Sequence, residues 1–423
     1  MKRPHIVLVA YQCGPGMGSV SQIGWEWYSR LIQDYRVTLV THCRNHDALL
    51  SAGAPLADSE VIEIDTEWFA GPLYRLAKRL FPRSEHSVFL VASLDYFLFD
   101  WVAYQRLRTR MRNGCTWSLL HRVTPVTLAA PTWLGRLRLP MIVGPLNSGL
   151  SDPPGFTSIL RQESTWLVRL RAVGGVFDAL IGSSRRAARI LTATSATLRG
   201  VPEKYRARCV PMIENGVDLA QFSASPWPCA PGPANPLRVL FVGRLIPAKA
   251  LPLLLEAVAR LVIERYPVVL DVVGDGPLRD QMMSIANHLG LADYVRFHGA
   301  LPSEAVARRM RHCHVFCLPS IRESGGAVLL EAMASARPVI AMRFGGPAEL
   351  VDEEVGTTLA LSTPEDATTG LVAALKDVIA RPDVWQARGQ AGRSRVEALY
   401  SWQAKVEQAG VLYREVLAEE VAS

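Results

Sequence analysis

The chain has 423 residues, of which 49% are hydrophobic and 20% charged. This excludes disordered and fibrous classes, and the chain is too long for one ordinary core, so two domains are expected. A net charge of +7 is modest for this length, and no nucleic-acid partner is expected. The seven cysteines include no CxxC pair, so neither a disulfide framework nor a standard zinc site is predicted, and a reducing cytoplasm fits.

Met1, Lys2, Arg3, Pro4 and His5 precede a short apolar run, Ile6 to Ala10, which is too short for a signal peptide and reads as a first β-strand. The glycine-rich segment Gly14-Pro15-Gly16-Met17-Gly18-Ser19 follows. It is not GxGxxG, because position 19 is serine, and it lacks the GK[ST] of a P-loop; taken alone it is a tight turn. A helix is predicted from about Gln22 to Asp34, then the strand RVTLVTH. Further strand candidates are EVIEI, WSLLHRV, PMIVGPL, ARILTAT and CVPMIENG, separated by stretches of helical periodicity, an alternation that predicts a parallel sheet covered by helices. The apolar stretch from Ser87 to Tyr104 is interrupted by Asp95 and Asp100, each costly at the centre of a bilayer helix, and no transmembrane span is expected.

Two basic groups stand out. Arg75, Lys78, Arg79 and Arg83 lie among Trp68, Phe69, Leu73, Tyr74, Leu76, Leu80 and Phe81. Between Arg161 and Arg208, Arg169, Arg171, Arg185, Arg186, Arg189, Arg199, Lys204 and Arg206 outnumber Glu163, Asp178 and Glu203. Such mixtures suit an anionic membrane surface or an acidic ligand, and they suit a solvated helix face equally.

Ser223 to Pro236 reads SASPWPCAPGPANP, with five prolines, and is the clearest linker. Beyond it the α/β alternation restarts with LRVLFVG and continues through VVLDVVG, VRFHG, VFCLP and PVIAM. The expected organisation is an N-terminal domain over 1–222, a linker over 223–236, a C-terminal domain over 237–400 and an amphipathic terminal helix over 401–423. The fold class is α/β: two doubly wound, Rossmann-like domains whose strand ends face a central cleft.

Three segments carry candidate chemistry. In Arg322-Glu323-Ser324-Gly325-Gly326, followed by AVLLEAMA, the glycines allow close backbone approach at a helix start, where amides could hold a diphosphate. Glu331 comes two turns after Glu323 on nearly the same face, and both could accept hydrogen bonds from sugar hydroxyls; the alternative is a capped helix with solvent-facing acids. In Gly243-Arg244-Leu245-Ile246-Pro247-Ala248-Lys249, two cations at a strand's C-terminal end match what a departing nucleoside diphosphate needs. His121 ends a strand and could reach the cleft or serve structure alone. Gly274-Asp275-Gly276-Pro277 is a turn, with Asp275 a candidate cap for the next helix. His312, Cys313, His314 and Cys317 lead into an apolar strand and read as buried structural residues rather than metal ligands. No strand-terminal Asp-x-Asp is present to hold a divalent cation, so no metal and no cofactor are expected.

Taken together, GRLIPAK, VVGDGP, VRFHGALP, ESGGAVLLEAMA, RPVIAMRFGGPAELV and ENGVDLAQF resemble the retaining glycosyltransferases of family four, which have the GT-B fold. CGPGMGS, GWEW, LLHRVTP and MIVGPLNSG look like a bacterial branch associated with exported polysaccharides. The resemblance implies that Arg244 and Lys249 meet the diphosphate, Glu323 the donor sugar and Glu331 the ribose hydroxyls. Gly18 and Ser19 would face the phosphate from the first domain, and His121 would contact the transferred sugar. Gly243, Gly274, Ser324, Gly325 and Gly326 complete the donor-side set. It also implies that the terminal helix crosses back onto the first domain. The expected partners are a nucleotide-sugar donor and a glycan or polyprenyl-linked acceptor, with the protein cytoplasmic and the inner face of the membrane a candidate location. A sugar-nucleotide epimerase of the same architecture is the alternative, with His121 its one obvious acid/base candidate. Ala250 stands where glycine commonly follows the lysine, and ESGG replaces a form with an aromatic between Ser and Gly.

Overall fold

The run Ile6–Ala10 is fully buried and forms β1 (His5–Ala10), an interior strand of the first sheet in the computed structural model, which describes residues 3–80, 94–150, 153–160, 178 and 180–422. Arg83, Arg161, Glu163, Arg169 and Arg171 of the two basic groups lie outside the described residues. The other strands of this sheet are β2 (Arg36–His42), β3 (Glu60–Ile64), β4 (Leu119–Thr124), β5 (Met141–Leu146), β6 (Arg189–Thr192) and β7 (Cys209–Pro211). Their order is β3-β2-β1-β4-β5-β6-β7, and every pair is parallel. Strands covered by helices on both faces need near-continuous apolar runs rather than alternation, and β1, β4 and β5 are buried at nearly every residue. The longer helices are α1 (Ser19–Asp34), α2 (Glu67–Leu80) and α3 (Asp95–Arg112). The start of α1 lies three residues before the position expected from periodicity, because the chain enters it from Gly18 at φ 106°.

The second sheet holds β8 (Leu237–Val242), β9 (Val268–Val273), β10 (Val295–Phe297), β11 (Val315–Leu318), β12 (Val339–Met342) and β13 (Gly356–Leu359), in the all-parallel order β10-β9-β8-β11-β12-β13. The edge strand β13 was not expected. Its sequence GTTL is short and mostly half-buried, so it carries no apolar run to announce it. Helices α4 (Leu251–Ile263), α5 (Ala327–Ala334) and α6 (Pro364–Ala380) belong to this sheet's unit. In α4 the inward face is Leu251, Leu254, Leu255, Val258 and Leu261, each worth about 1.5–3 kcal/mol on full burial.

The chain divides into one unit of Met1–Gly149, Ser164–Glu214 and Lys405–Ser423, and a second of Leu150–Glu163 and Asn215–Ala404. Two stretches expected with the first domain therefore fall with the second, Leu150–Glu163 and Asn215–Phe222. For the latter a physical reason is visible: Val217 bridges to Ser401, and Gly216 is packed against the Trp402 ring. The proline-rich stretch is itself anchored. The fully buried Arg337 donates to the carbonyls of Ser225 (3.2 Å) and Pro226 (3.0 Å), and Trp227 Nε1 donates to the His314 carbonyl at 2.8 Å. The terminal helix α7 (Trp402–Ala422) belongs to the first unit from Lys405 onward. Among the described residues no helix is long and apolar enough to cross a membrane.

Candidate active site

In the second unit the strand order reverses between β8 and β11. At such a switch point the loops leaving the carboxyl ends of the two strands run to opposite faces of the sheet and open a crevice. The two segments singled out in the sequence are those two loops. Gly243 to Lys249 leaves β8, and Pro319 to Gly326 leaves β11 and enters α5. They are tied together by Ile321 N–H donating to the Ala248 carbonyl at 2.9 Å. Their side chains meet as well: the Lys249 ammonium donates to Glu323 Oε2, with both side chains largely covered, at 18% and 14% exposure. The other carboxylate oxygen, Oε1, accepts from Gly326 N–H at 3.3 Å. Glu323 thus occupies the first amide of the helix start that sequence reading offered to a diphosphate. Gly326, at φ 57°, makes the turn that allows this.

The loop after β9 completes the wall. Gly243 N–H donates to the Val273 carbonyl (3.0 Å), Leu245 N–H to the Asp275 carbonyl (2.9 Å), and Gly274 N–H to the Gly299 carbonyl (2.8 Å). A Cβ on Gly274 would collide with the Gly243 carbonyl, and its φ of 137° suits only glycine, so Gly274 serves close loop packing. Arg244 and Ser324 are exposed on these loops, while Gly325 is buried. Asp275 does not cap the following helix, whose N-cap is Leu278. Its carboxylate instead accepts from Gly276 N–H at 2.7 Å and pairs with Arg279.

Glu331, on α5, is half-buried and burial pushes its carboxyl up to about 8. No partner offsets that cost among the described residues, a state suited to an acceptor awaiting hydroxyl donors. Sequence reading assigned no role to Gly346, whose N–H donates to the Glu323 carbonyl at 3.0 Å and whose tight approach to Ser324 fixes the back of the Glu323 loop. The glycine pair after β12 was the available signal. Ser320, fully buried at the loop's root with an Oγ that has no hydrogen-bond partner among the described residues, gave no such signal.

The first unit has its own switch point, between β1 and β4. Gly18 and Ser19 are exposed at the start of the 16-residue α1, which has no side-chain cap and no acid in its first turn, a start that favours an anion. His121 is different from the expectation. It is fully buried, with Nδ1 bonded to the Tyr413 hydroxyl at 2.6 Å and Nε2 to the Gly144 carbonyl at 2.7 Å, and burial lowers its pKa to about 4. With both ring nitrogens engaged it is a neutral structural residue here, not a sugar contact or an acid/base. The buried His314 and Cys313 and Cys317 are likewise structural: His314 Nδ1 accepts from Arg238 N–H (2.9 Å), and its other nitrogen meets the Cys229 carbonyl (2.8 Å). Among the described residues His42, Cys43 and Glu67 bring three donor atoms within 4.8 Å. They are held internally, His42 by Thr66 Oγ1 (2.8 Å) and Arg44 N–H (3.1 Å), and Glu67 by Arg44.

This geometry, two loops at a switch point presenting a cation and a carboxylate, coincides with a family likeness. Residues 231–395 match the family described as Glycosyl transferases group 1. Among curated proteins, the D-inositol 3-phosphate glycosyltransferase of Saccharomonospora viridis is 33% identical over 221 residues, covering 49% of this chain and 50% of that protein. The chain spans about half the length of the curated relatives it matches. Among solved structures, the sucrose-phosphate synthase of Thermosynechococcus elongatus superposes with a TM-score of 0.61 at 21% identity, covering 99% of this chain and 100% of that one. HepE of Anabaena, solved with UDP and glucose, gives a TM-score of 0.60 at 16% identity, covering 98% and 100%. These likenesses fix the fold: two parallel-sheet, Rossmann-like α/β units of the GT-B type.

Proposed function

We propose that the chain is a retaining, metal-independent glycosyltransferase that moves a hexose from a UDP- or GDP-linked donor to a glycan or polyprenyl-linked acceptor in bacterial surface polysaccharide synthesis. The observation that carries the reading is the Lys249–Glu323 pair on the two switch-point loops of the segment that matches the transferase family. The UDP and glucose bound by HepE favour a donor of the same chemistry.

The donor's diphosphate would lie against Lys249 and Arg244, drawing the Lys249 ammonium from Glu323 and freeing that carboxylate for the sugar hydroxyls. Glu331 would take the ribose hydroxyls, exchanging an unpaired half-buried carboxyl for hydrogen-bonded donors. As the bond from the anomeric carbon to the phosphate oxygen breaks, negative charge grows on the departing diphosphate, and the two cations stabilise it most in the transition state. The acceptor hydroxyl attacks from the same face, its oxygen bonds to the anomeric carbon, and its proton passes to the leaving phosphate oxygen. No carboxylate attacks, so Glu323 positions the sugar. The absence of a strand-terminal Asp-x-Asp supports a metal-independent countercharge. The epimerase alternative loses its one acid/base candidate with the burial of His121. NMR of the product tests the reading: an α-linked donor should yield an α-linked product, at an unchanged rate in EDTA. A β-linked product, or loss of turnover in EDTA, would overturn the retaining and metal-independent assignments respectively.

A further inference from the structure

His42 ends β2, and its buried ring is held from one side. Nε2 meets Thr66 Oγ1 (2.8 Å) and the Asp95 carboxylate (3.4 Å), while Thr66 gives its own hydroxyl proton to Asp95 Oδ1 (2.5 Å). Thr66 Oγ1 must therefore accept from Nε2–H, which leaves the ring's lone pair on Nδ1. The Tyr11 and Phe99 rings pack against the imidazole, with centroids 5.5 and 6.1 Å away, and fix its plane. Nδ1 faces the next residue. Cys43 Sγ lies 3.6 Å from it, and Asp65 Oδ1, just past the end of β3, lies 3.6 Å from the same sulfur. Glu67, which opens α2, brings a carboxylate oxygen within 4.8 Å of both the His42 nitrogen and the Cys43 sulfur. Arg44 Nε holds Glu67 in place, and the charge of Arg44 is matched by the fully buried Asp95, 2.8 Å from its Nη2.

These separations are those of ligands around one ion. With zinc–nitrogen and zinc–oxygen bonds of about 2.0 Å and zinc–sulfur bonds of about 2.3 Å, tetrahedral neighbours stand roughly 3.5 Å apart. The outer contacts fit as well, since a ligating histidine normally donates its other ring N–H towards a carboxylate, and ligating carboxylates are themselves hydrogen-bonded. A thiolate and a carboxylate balance a doubly charged cation, and sulfur with imidazole selects zinc-like ions over magnesium or calcium. An ion can enter from solvent, because the Glu67 side chain is 48% exposed and Cys43 only half-buried. One bond opposes it: Arg44 N–H also reaches Nδ1, at 3.1 Å, and is exchanged for the ion. We propose that His42 Nδ1, Cys43 Sγ and a Glu67 carboxylate oxygen bind one thiophilic divalent cation of the zinc class, with Asp65 Oδ1 or a water in the fourth position, tying the ends of β2 and β3 to the start of α2. The thiol proton passes to solvent as the sulfur binds. This stands independently of the transferase reading, whose countercharge residues lie on loops of the second unit.

Cobalt(II) chloride added to the full chain tests it, because sulfur bound to cobalt gives a charge-transfer band and a tetrahedral ion gives strong visible bands. One equivalent should produce both, and zinc, but not magnesium, should displace it. Cys43→Ser should abolish the charge-transfer band, and Glu67→Gln should weaken binding at least about tenfold, with circular dichroism unchanged. Cys115→Ser with Cys229→Ser, which removes the exposed thiols, should leave the band intact. No band, a band that survives Cys43→Ser, or one lost with Cys115 and Cys229 would overturn the proposal, and displacement by magnesium would overturn the thiophilic assignment. Should Cys43→Ser fail to fold, the wild type decides: zinc should protect Cys43 from N-ethylmaleimide, read by mass spectrometry of its peptide, and equal labelling with and without zinc contradicts the site.

Discussion

Lys249 and Glu323 each bring a charge that the other partly cancels, so the ligand-free site holds a pair that a diphosphate and a sugar would divide between them. Glu323→Gln or Lys249→Ala is expected to lower turnover by about a hundredfold or more with the circular dichroism spectrum intact; near-normal turnover in both would refute the site. Glu331 makes a prediction of opposite sign for stability. Its carboxyl, ordinarily ionised above 4.5, stays protonated in the fold up to about 8, so the fold loses stability as pH rises between those values. Glu331→Gln should therefore raise the melting temperature of the ligand-free protein at pH 8.5 while weakening donor binding. His121 behaves in the reverse direction. Its folded pKa is near 4 against an ordinary 6.5, so its stabilising contribution is complete above 6.5 and is lost as pH falls towards 4, by about 3 kcal/mol. Melting curves across that window should be flatter in His121→Phe. At this scale the sequence was readable for Lys249 and Glu323, because strand ends mark where side chains converge. It left His121 open between the cleft and a structural role, and the resemblance pointed to the cleft, because a strand end does not reveal that Tyr413, far along the chain, and Gly144 of the adjacent strand will close over it.

At the scale of elements, the loops after β8, β9 and β11 are held to one another by backbone bonds and close glycine packing as well as by the Lys249–Glu323 pair. Gly274→Ala meets the Gly243 carbonyl and a φ of 137°, and should destabilise the second unit by roughly 2–4 kcal/mol, measured by urea unfolding. The helix α7 is fastened to the first unit through the Tyr413 hydroxyl. Tyr413→Phe strands a ring nitrogen of His121 and should cost about 1–3 kcal/mol. A sequence pattern gives such helices their existence but not their partners. The same limit explains β13, whose four residues carry too little apolar character to be seen, and Asp275, whose partner Gly276 lies one residue on, not at a helix start.

For the whole molecule, long apolar runs alternating with amphipathic helices specified two doubly wound sheets, and twelve of their thirteen strands fall, to within one residue, on the runs picked out from sequence. The division between units was less readable, because Val217 and Ser401 pair across a long stretch of chain and carry Asn215–Phe222 into the second unit. The central claim is that the switch-point loops of that unit hold a nucleotide-sugar with lysine and arginine, not a metal ion, as countercharge. The most direct test is the melting temperature of the protein with UDP-, GDP-, ADP- and CMP-sugars, each with and without EDTA, since a ligand that binds the folded state raises its stability. The account predicts a rise with a UDP- or GDP-sugar that EDTA leaves unchanged and Lys249→Ala abolishes. No rise with any donor, or a rise that EDTA removes, would contradict it.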